Sequence, residues 1–310
     1  MIQIDFEAVL GLAGVGDLVE PMRLAFTSQA VSPQRAHYDL ANPQAPHTLL
    51  LMPSWRPGGD LGVKIVTVFA DNVERQLPSV NATYLLLSGQ TGQPRAWIEG
   101  RALTLLRTAA VSALAADLLA PAAPERLLMV GTGALSRYLI EGHLAVRKYK
   151  SVLVWGRDRS KAAAVAADLC ARGSPVAVAD DLQTAVRSAD VISCATLAER
   201  PLIHGVWLKS GSHLDLVGSY KPDMREADDE CMRGAFVAVD TFAAVEESGD
   251  LIDPVARGII VREDVRSLNE LAVCREKIPR ASRTVFKSVG VAHADLATAE
   301  FLCQRFGAGG

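Results

Sequence analysis

The sequence predicts an α/β protein built from a doubly wound parallel sheet and a second, mixed α+β unit. Three observations carry this. From residue 126 onward, short apolar runs alternate with helical stretches, the signature of parallel strands joined by crossover helices. The first of those runs, "RLLMV", leads directly into Gly131-Thr-Gly133 and then into a helical pattern. Before about residue 120 the alternation is absent, and strands follow strands. The second half therefore reads as a Rossmann-type sheet, with a boundary at the proline-punctuated "LLAPAAPERLLMV".

In chain order, residues 5–30 have a helical pattern, and "HTLLLMP" and "GVKIVTVF" have that of strands. "ATYLLLSGQTGQPRAWIEG" reads as a hairpin turning at Gly89–Gly92. "TLLRTAAVSALAADLLA" is an Ala/Leu helix with Thr104 as the expected N-cap. Next come the strand-like "RLLMV", "SVLVW", "PVAVA", "DVISCAT", "HLDLVG" and "FVAVD", with helical "SKAAAVAADLCARG" and "LQTAVRSA" between them. The last segment, "RTVFKSVGVAHADLATAEFLCQRFG", begins as a strand and becomes an amphipathic helix able to return to the first unit. The expected domains are thus 1–120 with 291–310, and 121–290. "PSWRPGGDLG", residues 53–62, reads as a flexible loop, a lid or a plain connection.

The composition is that of a globular protein: 310 residues, 49% hydrophobic and 22% charged, with a formal net charge of −3. Such a balance gives no reason to expect nucleic acid or an anionic membrane as partner. The five cysteines are scattered and make no CxxC pair, which suits a reduced, cytoplasmic setting with thiols as small core residues. "MIQIDFEAVL" carries acids where a secretory leader needs basic residues, and Asp117 and Pro121 break the longest Ala/Leu run, so no spanning segment is expected. The six histidines show no metal spacing, and no metal site is expected.

Gly131 and Gly133 meet the needs of a pyrophosphate: a tight turn, close backbone approach, and a helix N-terminus offering unpaired N–H groups. Ser136 stands where a third glycine is usual. After the second strand, "GRDRSK" puts Arg157, Arg159, Ser160 and Lys161 where an NAD site usually offers an acid. Guanidinium, hydroxyl and ammonium suit a 2′-phosphate and favour NADPH over NADH, though Asp158 is placed to face a ribose and the charges also suit a solvated helix start. In the first unit, Lys64 interrupts an apolar strand, Arg107 interrupts the Ala/Leu helix, and Arg35 lies in "SPQRAHYD". Separately these suit a snorkelling lysine and the wet face of a helix; together they suit a pocket for a small carboxylate.

"GVKIVTVFADN", "TGQPRAWIEGRALTLLRTAAVSALAADLLA", "VGTGA", "DVISCAT" and "VFKSVGVAHADLA" follow the order found in the ornithine cyclodeaminase/mu-crystallin family, which the chain resembles over nearly its whole length. The Arg-Thr-Ala-Ala-x-Ser block is the specific part. The resemblance implies a Rossmann domain joined to a substrate-binding and dimerising domain, hence a homodimer. It implies that Arg35, Lys64 and Arg107 hold a substrate carboxylate, and that Thr108 and Gly131, Thr132, Gly133 and Ala134 lie near the cofactor phosphates. Ala195, Thr196, Val217 and the Lys287–Gly290 segment, with Ser288 and Gly290, would flank the nicotinamide end.

One stretch departs from the pattern. Cyclodeaminase-type members resemble Gly-x-Asp-x-Pro-Gly-Lys-x-Glu, and here "VGSYKPDMRE" puts Tyr220 at the position of the acid/base aspartate. A phenol, protonated near neutral pH, is a poor base for ornithine oxidation and ammonia loss. The stretch instead resembles the variant of the family's cyclic-ketimine reductases. The expected activity is NAD(P)H-dependent reduction of 1-pyrroline-2-carboxylate, and of its six-membered homologue, to L-proline and L-pipecolate. The alternatives are an ornithine cyclodeaminase or amino-acid dehydrogenase with its acid elsewhere, and a non-catalytic NADPH-dependent binding protein. Lys64, Tyr220, Ser219 and a water stay open as proton donor, with Arg107 clamping the carboxylate. Asp223, Arg225 and Glu226 read equally as a capped helix start.

Overall fold

The computed structural model describes residues 1–41, 47–274 and 282–308, which divide into two compact units: 1–108 with 291–308, and 109–290. The division falls inside one helix, eleven residues before its last residue, Leu119, rather than at the prolines that follow.

In the first unit the elements are β1 (Ile2–Ile4), α1 (Phe6–Leu12), α2 (Val19–Thr27), β2 (Ala36–Asp39), β3 (His47–Trp55), β4 (Leu61–Phe69), β5 (Val80–Leu87) and β6 (Pro94–Glu99). The sheet runs β1-β6-β5-β4-β3-β2, antiparallel except where β1 lies parallel to β6. β3 and β4 pair from His47↔Phe69 to Trp55↔Leu61, so half of 53–62 is strand and the loop is confined to 56–60. The turn is tight: Gly59 N donates to Arg56 O at 2.9 Å, and Gly58 takes φ +73. α3 (Gly100–Leu119) follows. Its first turn is capped by Glu99, whose carboxylate accepts from Ala102 N at 2.7 Å. Thr104 lies inside the helix and donates to Gly100 O, correcting the expected cap. α3 is long and apolar enough to cross a bilayer, yet 78% of its apolar window is buried in the protein, as befits a core helix.

The second unit continues with β7 (Arg126–Val130), α4 (Leu135–Val146), β8 (Ser151–Trp155), α5 (Arg159–Ala171), β9 (Val176–Val178), α6 (Leu182–Ser188), β10 (Val191–Cys194), β11 (His213–Leu216), α7 (Asp229–Met232), β12 (Phe236–Val239), α8 (Ala244–Glu247), α9 (Gly249–Ala256), β13 (Arg266–Ser267), α10 (Leu268–Val273) and β14 (Thr284–Lys287). Its eight strands are all parallel, in the order β13-β12-β14-β11-β10-β7-β8-β9. β7, β10 and β11 are buried on both faces, which is why they read as unbroken apolar runs. The chain winds from β7 out to β9, then returns to place β10 on the other side of β7. That reversal is a topological switch point, and ligands bind at the carboxyl ends of the strands there.

After β14 the chain re-enters the first unit as α11 (Ala292–Ala308), which packs against α2, β3, β4 and β5. Of the cysteines, 194, 231 and 303 are buried as expected, whereas Cys170 and Cys274 are exposed.

Candidate active site

At the switch point of the second unit lies a cleft of about 750 Å³. Gly131, Thr132 and Gly133 line it beside Trp155–Asp158 and Ala195–Arg200. Gly131 has φ +123, and a Cβ there would stand 2.4 Å from Ala195 O, so only glycine fits. Ser136 replaces the third glycine without obstruction: it is buried and donates through Oγ to Gly131 O at 2.9 Å, bracing the loop. The first turn of α4 carries no side-chain cap. Its N–H groups and the glycine loop point to an anionic ligand, and these residues fit a dinucleotide pyrophosphate.

At the end of β8, Asp158 is spent as the N-cap of α5: one oxygen accepts from Ser160 N, Ser160 Oγ and Lys161 N. Those bonds hold its carboxyl below the ordinary range. Arg159 pairs with Asp180. Arg157 and Lys161 line the cleft and form no ion pair among the described residues.

The stretch after β11 is not a helix start. Glu226 is fully buried: Oε1 accepts from Thr196 N at 2.7 Å and Thr196 Oγ1 at 2.8 Å, and Oε2 from Gly218 N at 2.7 Å. Asp223 caps no helix, and the next helix, α7, begins with Asp228 as its cap. Ser219 is turned inward, donating to Met224 O and meeting Ser248 Oγ, each at 2.6 Å. A hydroxyl engaged in this way has no proton to spare for a ligand. Tyr220 is 44% exposed, with the Lys221 ammonium 5.7 Å from its ring centroid. Val217 is buried. Ser288 and Gly290 are anchored by Asp240, which accepts from Ser288 Oγ at 2.8 Å and Gly290 N at 2.7 Å.

In the first unit, α11 supplies a residue that sequence reasoning missed. Asp295, fully buried, takes Lys64 Nζ at 2.9 Å on Oδ1 and 2.8 Å on Oδ2, with Arg107 Nε at 3.0 Å from Oδ1. Lys64 and Arg107 are 2% and 6% exposed. Thus Lys64 is no edge residue and Arg107 is not on a wet face. Burial, helped by the Arg107 charge and opposed by Asp295, brings the Lys64 ammonium down to about 8. Arg35, half-buried ahead of β2, adds its charge to the same field. Thr108 is buried on α3. No group of metal-ligating side chains occurs among the described residues.

Asp240 and Asp250 carried no sequence signal, and Glu226, Lys287 and Asp295, although inside stretches that resemble the family, were not read as buried charges. A single sequence cannot tell a buried carboxylate from a solvated one.

The switch-point cleft, the glycine loop and the uncapped helix define a Rossmann-type α/β enzyme of the oxidoreductase class. The chain belongs to the ornithine cyclodeaminase/mu-crystallin family, matching it over residues 7–310. It is 39% identical over 292 residues to Protein SAR DEFICIENT 4 of Arabidopsis thaliana, covering 90% of this chain and 89% of that one. It is 35% identical over 302 residues to the Delta(1)-pyrroline-2-carboxylate reductase of Colwellia psychrerythraea, covering 93% and 94%. Among solved structures it is similar to Thermococcus litoralis Delta(1)-pyrroline-2-carboxylate reductase in complex with NADH and L-proline: TM-score 0.92, 28% identity, 100% and 98% covered.

Proposed function

We propose that the protein is an NAD(P)H-dependent reductase of cyclic 2-imino acids, converting 1-pyrroline-2-carboxylate to L-proline and the six-membered homologue to L-pipecolate. The observation that carries this is the buried group on the first unit: two cations, Lys64 and Arg107, share one carboxylate, Asp295, with Arg35 adding charge. That surplus of positive charge complements a monocarboxylate. The named relatives support the same reading.

Bound in the cleft of the second unit, the reduced nicotinamide supplies the hydride that the imine carbon accepts. On the first unit, Arg107 and Arg35 hold the carboxylate. Lys64 delivers the proton that the nitrogen needs as C=N becomes CH–NH. Neither Ser219, which is engaged inside the protein, nor the exposed Tyr220 is as well suited. Tyr220 also occupies the position of the cyclodeaminase acid, which disfavours ornithine as substrate. A homodimer fits the exposed apolar side chains of the first unit, among them Leu40, Trp55, Ile65 and Val80.

The test mixes purified protein with NADPH and 1-pyrroline-2-carboxylate and follows the reduced-nicotinamide absorbance, with L-ornithine and NAD as a parallel ammonia assay. NADPH loss without ammonia is expected; ammonia and proline from ornithine would overturn the reading. NADPH is the preferred cofactor, held at its 2′-phosphate by Arg157 and Lys161. Arg157→Ala is expected to weaken NADPH by about tenfold, the scale of one exposed charge-assisted hydrogen bond, and to leave NADH within about twofold. Equal losses for both nucleotides would remove Arg157 from discrimination.

A further inference from the structure

Glu226 joins two loops that are far apart in sequence. Thr196 follows β10 and lines the cleft; Gly218 and Ser219 follow β11. One carboxylate gathers Thr196 N and Oγ1 on Oε1, and Gly218 N and Ser219 N on Oε2, the last at 3.3 Å. The packing tolerates nothing larger: a Cβ on Gly218 would lie 2.0 Å from Thr196 O and 2.6 Å from Glu226 Oε1. Behind Glu226 stand Asp250 of α9 and Lys287 of β14, both fully buried. Asp250 accepts from Glu226 N at 2.7 Å, Ala227 N at 3.1 Å and Lys287 Nζ at 3.1 Å, and Lys287 Nζ lies 4.0 Å from Glu226 Oε2. A buried ion network of this kind is a weak source of net stability, and its documented benefit is fixing one arrangement over others.

We infer that Glu226, backed by Asp250 and Lys287, is a positioning residue that clasps the loops after β10 and β11 and so sets the wall of the cleft that receives the nucleotide. This rests on the nucleotide-binding reading of that cleft. The clasp needs an acceptor on both oxygens. A protonated carboxyl turns one of them into a donor facing the Gly218 and Ser219 N–H groups. The charged and titratable groups facing Glu226 are Lys287, Asp250 and, from β10, the Cys194 thiol. Burial pushes Glu226 up to about 7, Asp250 adding to the rise and Lys287 opposing it. Nucleotide binding therefore favours the charged form and weakens as pH falls through 7.

The experiment is calorimetric titration of NADPH into the full chain at pH 6 and pH 8, wild type and Glu226→Gln, with a melt of each. For the wild type we expect about tenfold weaker binding at pH 6 than at pH 8, and release of about half a proton per NADPH at pH 7, read from buffers of different ionisation enthalpy. Glu226→Gln should bind about tenfold more weakly at pH 8 and lose that pH dependence. If the variant keeps wild-type affinity while only its melting temperature moves, or both proteins share one pH slope, Glu226 is merely structural. The proton count needs no variant, so a misfolded Glu226→Gln still leaves a decision: no proton exchange at pH 7 overturns the inference. A wild type that binds NADPH at neither pH overturns the nucleotide reading itself.

Discussion

Lys64→Met is expected to lower kcat for 1-pyrroline-2-carboxylate by about a thousandfold, the scale of losing a positioned general acid together with a charge that balances the reacting substrate. Methionine matches the lysine stem in length, and Asp295 keeps Arg107 as its counter-ion, so the loss should come from chemistry rather than unfolding. The sign of the pH dependence follows from the shift. The Lys64 ammonium is held down to about 8, so the proton is present below that pH and withdrawn above it. Wild-type reduction should therefore decline above pH 8, while the residual activity of Lys64→Met stays flat over that interval. Steady-state NADPH oxidation across pH 6–10 checks both points. A raised KM with unchanged kcat would mean that Lys64 clamps the carboxylate and supplies no proton.

Asp295→Leu should be the most destabilising single change in the first unit, costing about 3–5 kcal/mol at pH 7 by stranding buried cations without their counter-ion. The linkage has a definite direction. Lys64 is depressed in the folded protein, so the unfolded chain binds its proton more tightly, and stability rises with pH from about 8 towards the unfolded value of 10.5. Asp295 opposes that depression, and without it the window opens at lower pH. Denaturant melts should thus show a smaller deficit for Asp295→Leu at pH 9 than at pH 7, with Asp295→Asn between leucine and wild type. A deficit under about 1 kcal/mol, or one that grows with pH, would mean that water reaches the two cations.

Much of this architecture was legible because its signals are local. Runs such as "RLLMV", "SVLVW" and "DVISCAT" declare buried parallel strands by composition alone, and glycine at 131 declares a backbone requirement. Lys64 and Arg107 were conspicuous because a cation in an apolar run is anomalous. Their partner was not, since Asp295 lies in a helical segment 188 residues beyond Arg107, where an acid is ordinary. Glu226 was misread for the same reason: in "KPDMREADDE" it stands near Lys221, Asp223 and Glu230, which do face solvent, and only tertiary packing separates it from them. Thr104 shows the local rule failing at short range, because Glu99 could reach the free N–H groups first.

The return of α11 to the first unit has a consequence for synthesis on the ribosome. Lys64 and Arg107 emerge well before the acid that neutralises them. At about 5–20 residues per second, the 188 residues from Arg107 to Asp295 take roughly 10–40 s to translate. Throughout that interval the nascent sheet lacks the helix that covers it and carries a naked pair of positive charges. The second unit, continuous in sequence, can meanwhile complete its own fold. The chain should therefore mature out of order, its amino-terminal part last.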